Sequence, residues 1–147
     1  MAKRDPRRVA LLSIRPRFAR AILSGEKQVE LRRRPFGESV SHVVVYATAP
    51  VQKVVGWFEV GSIQHASPRI LWQEHGRAAS VTREEFRAYY RGARGGAAIK
   101  VRSTRSLRQP QSLSMLGARR PPQSFMYLDW HVFDRLRSSP TAKAPQF

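Results

Sequence analysis

The stretch Ser24–Phe36 (SGEKQVELRRRPF) sets a glycine, an ammonium, a carboxylate and a guanidinium close together, as Gly25, Lys27, Glu30 and Arg32. Lys27 has the chemistry of a phosphate clamp or, if desolvated, of a base or nucleophile. It also suits a plain surface lysine close to a helix C-terminus, where the helix dipole favours a cation. Glu30 and Arg32 stand two apart, so on a strand they share a face and can pair or hold one ligand between them. A solvated pair of this kind contributes only about 0–1 kcal/mol. Arg32, Arg33 and Arg34 in succession repel one another, and a bound polyanion relieves that repulsion while adding salt-dependent affinity.

These residues need elements to position them. Val9–Ile14 (VALLSI) is a short apolar run that reads as a buried strand. Pro16 opens a helix, Phe18, Ile22 and Leu23 give it an apolar stripe, and Gly25 stands where a C-cap glycine belongs. Gln28–Arg32 alternates as a strand, with Val29 and Leu31 on the inner face and Gln28, Glu30 and Arg32 on a charged outer face. His42–Ala47 and Lys53–Ile63 are further strands, the second with a bulge or a bend at Gly56. Ser67 and Pro68 start one helix. Thr82 and Glu85 form the capping box of another, which Gly92 ends. A strand from Gly96, a helical turn at Ser112–Gly117 and a last strand, or strand and turn, over Ser124–Phe133 complete the order. The irregular alternation predicts an α+β fold with a curled sheet or small barrel of five to six mostly antiparallel strands and short flanking helices.

The 147 residues suit one domain, with a basic arm at 1–8, the domain itself at 9–134 and a flexible, proline-containing tail at 135–147. The 41% hydrophobic content favours a packed core over disorder. Absence of cysteine excludes disulfides and zinc-thiolate sites. The four histidines (His42, His65, His75 and His131) are scattered without metal-ligand spacing, so no metal or other cofactor is expected. No apolar run reaches the roughly 20 residues of a membrane span, and no signal peptide is evident, so a cytoplasmic protein with no membrane partner is expected. The 27 Lys and Arg against 10 Asp and Glu give +17, which points to nucleic acid as the partner. Most of these cations are arginine, which forks onto phosphate and stacks on bases.

Gly25, Lys27, Glu30 and Arg32 complete the Gly-x-Lys-x-x-Glu-x-Arg motif of the ASCH domain family, which the chain resembles from about residue 9 to 128. The segments VVVYATAPVQKVVGWFEV and RRPPQSFMYL also resemble that family, in the right order. The resemblance implies a PUA-like β-barrel whose cleft binds single-stranded RNA or a nucleotide, with DNA as a further polyanion. The expected binding set is Arg15, Gly25, Glu30 and Arg32, with Arg33 and Arg34 as electrostatic help and Arg119 and Arg120 as a second basic cluster that can touch phosphate. Some members are similar to ribonucleases, others to amidohydrolases acting on N4-acetylcytidine, and a non-catalytic RNA-binding module is a third reading. For cleavage the resemblance implies a lysine, a tyrosine and a serine, here Lys53, Tyr46 and Ser124, beside Lys27. Gln52 competes with Lys53 for its place. Strand ends on one rim could gather these groups. Lys53 would stabilise the charge growing on phosphorus, and Tyr46 would hold the 2′-hydroxyl. Equally, Tyr46 is a barrel aromatic and Ser124 a strand-entry residue. The amidohydrolase reading lacks a part: the acidic position falls near Ala78–Ser80, which holds no carboxylate, and Glu74 lies upstream.

Overall fold

The computed structural model describes residues 5–147. Its elements run β1 (Arg8–Ile14), α1 (Pro16–Ser24), β2 (Val29–Arg32), β3 (Val40–Ala47), β4 (Lys53–Ala66), α2 (Pro68–His75), α3 (Arg83–Tyr90), β5 (Gly96–Gln111), a 3-10 turn (Leu113–Leu116), β6 (Phe125–Leu128), α4 (Trp130–Arg137) and β7 (Thr141–Ala142). All seven strands form one sheet in the order β2-β5-β4-β3-β1-β6, with β7 added to β5. Every pairing is antiparallel except β1 with β3. That parallel pair follows from the crossover through α1 and β2.

Alternation along the strands makes two apolar faces. Leu12, Val43, Val45 and Phe58 meet Ala19, Ile22 and Leu23 of α1 on one face. Val9, Leu11, Val44 and Leu107 meet the 3-10 turn and Phe133 of α4 on the other. A third cluster seats Val29 and Leu31 of β2 beneath Leu71, Phe86 and Tyr90 of α2 and α3. Gly56 sits at the bulge expected of it: an added Cβ would lie 2.4 Å from Arg105 O and 2.9 Å from Leu23.

The outer strands β2 and β6 do not pair with each other. A side chain spans them instead: Arg32 Nη2 donates to Ser124 O (3.2 Å) and Ser124 Oγ (2.9 Å), and Nη1 to Ser13 O (3.4 Å). One guanidinium therefore laces β2 to the other edge of a curled sheet.

The chain ends differ from their sequence reading. Residues 1–4 of the expected arm lie outside the described residues. Arg7 pairs with Asp5 at 2.7 Å, its carbonyl accepts from Trp130 Nε1 (3.0 Å), and Arg8 already belongs to β1. The expected loose tail contains the end of α4, then β7, and the chain returns to α1, where Arg20 lies over the Phe147 ring at 4.7 Å. A two-residue strand has no alternation to read, and the polar composition of 135–147 hides its one anchoring aromatic.

Candidate nucleic-acid interface

Lys27 owes its place to the end of α1. Gly25 adopts φ 89°, a left-handed cap, and its N–H donates to Ile22 O. Its positive φ is what the turn requires, and an added Cβ would meet nothing within 4 Å. The reversed chain then lets Lys27 N donate to Ala21 O (2.9 Å). Its side chain runs inward under Phe18, with Nζ 4.9 Å from the ring centroid.

The face of β2 expected to be the outer one is exposed at Gln28 but buried at Glu30 and half-buried at Arg32, and Lys27 just ahead of it is buried as well. Lys27 is 2% exposed and Glu30 6%. The reason is the loop between α2 and α3, which folds over Lys27: Nζ donates to Ala79 O, and Ala78 O accepts from Gln28 N (2.8 Å) and Val29 N (3.2 Å). The charges form a chain, with Lys27 Nζ 3.5 Å from Glu30 Oε1 and Glu30 Oε2 3.3 Å from Arg32 Nη1. Burial pushes the Lys27 ammonium below the usual lysine range, and the Glu30 carboxylate partly opposes that shift. Tyr90 donates to Arg32 O (3.3 Å), and burial raises its pKa, so it stays a neutral donor.

A cavity of about 630 Å³ opens onto this chain of charges. Lys27, Glu30, Arg32 and Arg15 line it, with Phe18 and Tyr89 as aromatic walls. Its size fits a nucleoside or nucleotide. Tyr89 is 40% exposed, and its hydroxyl accepts from Arg33 N (2.9 Å). Arg33 and Arg34 are exposed beyond the cavity, as are Arg119 and Arg120 in the loop that leads to Gln123 on its wall.

Tyr46, Lys53 and Ser124 stand at one end of the sheet. Ser13 N donates to Ser124 O (3.2 Å), Ser13 pairs with Tyr46, and Tyr46 and Ala47 pair with Val54 and Lys53. They form a row across four strand positions but do not line the cavity. Tyr46 is 4% exposed within the second apolar cluster, Lys53 is exposed, and Ser124 touches Arg32. Spacing could not reveal that Ala79 O would seat Lys27, because a backbone carbonyl leaves no sequence signal. Glu85 was legible only as a cap: its Oε1 accepts from Thr82 N (3.0 Å) while Oε2 pairs with Arg17. Among the described residues no three His, Cys, Asp or Glu converge as metal ligands, and no helix is long and apolar enough to cross a membrane.

The ASCH domain model matches residues 12–105, a span holding Lys27, Glu30 and Arg32. The chain belongs to the ASCH domain family. It is 35% identical over 127 residues to an ASCH domain-containing ribonuclease of Zymomonas mobilis, covering 83% of this chain and 85% of that one. Crystal structures of an ASCH protein from Zymomonas mobilis are similar throughout. A tyrosine-to-phenylalanine variant has a TM-score of 0.83 at 31% identity, covering 92% of this chain and 100% of that one. A serine-to-alanine variant has 0.83 at 32%, covering 92% and 98%. The α+β reading with a PUA-like curled sheet holds for this ASCH domain. The sheet has seven strands where five to six were expected, the two-residue β7 among them.

Proposed function

We propose that this ASCH domain binds single-stranded RNA, with a nucleotide in the cavity over Lys27, Glu30 and Arg32, and cleaves it as a ribonuclease. The observation that carries this reading is a buried lysine, 2% exposed, paired with Glu30 at the floor of a cavity in a +17 chain. Burying an ammonium is costly even when it is paired, and a buried lysine with a shifted pKa that lines a cavity is a candidate for holding a ligand's charge. Phe18 and Tyr89 offer ring faces for a base, and Arg15, Arg33, Arg34, Arg119 and Arg120 add sequence-independent attraction for the backbone.

Cleavage needs no reagent beyond RNA itself. The 2′-oxygen attacks the adjacent phosphorus, the bond from phosphorus to the 5′-oxygen breaks, and the products are a 2′,3′-cyclic phosphate and a 5′-hydroxyl. One proton leaves the 2′-hydroxyl and one reaches the 5′-oxygen. Glu30, the buried carboxylate beside Lys27, serves the first transfer and Lys27 is the ammonium for the second. Tyr46, Lys53 and Ser124 form the second candidate set. The two Zymomonas mobilis variants, which replace a tyrosine and a serine, draw attention to the same residue types. An amidohydrolase is disfavoured, because the Ala78–Ser80 segment presents a carbonyl to Lys27 where that reading needs a carboxylate.

The test is incubation of the protein with labelled RNA, DNA and N4-acetylcytidine, each with and without EDTA. RNA should be cut in both conditions and N4-acetylcytidine left intact. Affinity for RNA should fall with a log–log salt slope of roughly −0.7 per phosphate contacted. Lys27→Ala, Lys53→Ala, Tyr46→Phe and Ser124→Ala separate the two sets. RNA binding without cutting, lost in Lys27→Ala, would leave a non-catalytic binding module. Cutting that survives both lysine variants would come from a contaminating nuclease.

A further inference from the structure

The cavity over Lys27 has a neighbour. A groove of about 930 Å³ lies between α1 and the α2–α3 loop, and Phe18, Val81 and Glu85 line both recesses. Arg17, Arg20, Arg77, Trp72 and the carboxylate-bearing Glu26 line the groove. Trp72 packs one side against Phe86, ring centroids 5.1 Å apart, and lies against Gly76, where an added Cβ would come within 2.7 Å of the indole. At the shared wall Glu85 pairs with Arg17 across the gap from α3 to α1. The pair is surface-exposed, so it is weak and exchangeable. A phosphate offers Arg17 a better, bidentate partner than the carboxylate it holds.

We propose that the two recesses are one track for consecutive nucleotides of single-stranded RNA, one nucleotide in the cavity and its neighbour in the groove. The linking phosphate crosses at Phe18 and Val81 and displaces Glu85 from Arg17. Arg77 meets the next phosphate, and Trp72 offers the second base an indole edge. This rests on the RNA reading of the cavity and adds to it that the recognised unit is at least a dinucleotide. It also gives Glu85 a gating role that opposes binding.

The experiment measures affinities of a mononucleotide, a dinucleotide and a tetranucleotide of RNA by calorimetry, with the full chain. The native chain should bind the dinucleotide about tenfold more tightly than the mononucleotide, since the second nucleotide adds a linking phosphate on Arg17 and a base edge on Trp72. Glu85→Gln keeps the cap, because the glutamine amide oxygen accepts the Thr82 N–H. It should widen that ratio about threefold by removing the repelling charge and freeing Arg17. Arg77→Ala should weaken the tetranucleotide, which carries the next phosphate, relative to the dinucleotide, whereas Arg108→Ala, exposed on β5, should leave both ratios unchanged and so controls for net charge. Equal affinity for the mononucleotide and dinucleotide, or weaker dinucleotide binding by Glu85→Gln, overturns the track and leaves the cavity reading standing. No binding of any of the three overturns both.

Discussion

Lys27 Nζ lies 3.5 Å from Glu30 Oε1, and both side chains are nearly removed from solvent, 2% and 8% exposed. Glu30 also faces Arg32 at 3.3 Å, so one carboxylate answers two cations. Removing different members of this set therefore has unequal consequences.

Glu30→Ala strips Lys27 of its countercharge and leaves an ammonium held only by Ala79 O and the Phe18 ring. The expected loss is about 3–5 kcal/mol, the usual cost of an uncompensated buried charge. Lys27→Met fills the same space, and Glu30 keeps Arg32, so stability should change by only about 1 kcal/mol in either direction. RNA affinity should fall in both variants. Urea unfolding of the two beside the native chain checks the contrast. Equal losses in both would mean the pair is symmetrical in a way the geometry denies.

The same burial fixes a pH dependence. The folded pKa of Lys27 lies below the unfolded value, so between the two the unfolded chain binds more protons. Stability attributable to this group therefore rises with pH across that window, up to the ordinary lysine range. The unfolding free energy of the native chain minus that of Lys27→Met should climb as pH rises through the range just below 10, since the methionine cannot titrate. A difference that is flat or falls over that range would show that the lysine is not desolvated in solution.

How much of this was legible in the sequence varies from residue to residue. Thr82 and Glu85 announced the start of α3, Ser67 and Pro68 that of α2, and Gly25 the end of α1, because capping is decided within a few residues. Glu30 and Arg32 could be placed on one strand face from alternation, with Lys27 just ahead of the strand. That Lys27 and Glu30 are buried could not, because the cover comes from Ala78 and Ala79, some fifty positions away and contributing backbone oxygens. α4 was missed for a related reason. Phe125–Leu128 and Trp130–Arg137 run together as one aromatic stretch, and the break at Asp129 carries no strong punctuation. Tyr46, Lys53 and Ser124 do share one end of the sheet, as strand boundaries suggested. Their distribution between its faces depends on the bulge after Val45, which only the register reveals.

Arg32 is the remaining member of the chain, and its prediction concerns the seam between β2 and the β6 edge. Its two Nη atoms reach Ser13 O, Ser124 O, Ser124 Oγ and Glu30 together, a fan that a planar guanidinium can make and a single ammonium cannot. Arg32→Lys keeps the charge and so the pairing with Glu30, but it abandons most contacts with the opposite edge. The seam should loosen locally without global unfolding. Hydrogen exchange reads this directly at Ser13, whose N–H donates to Ser124 O at 3.2 Å. In Arg32→Lys that amide should exchange faster, by about tenfold for the loss of one charge-assisted bond, while Val43 and Val44 in the middle of β3 keep their protection. RNA affinity should fall alongside, since the cavity wall then lacks its fixed guanidinium. Unchanged protection at Ser13 would mean that backbone pairing of β1 with β6 alone holds the seam, and that Arg32 faces the ligand without supporting the fold.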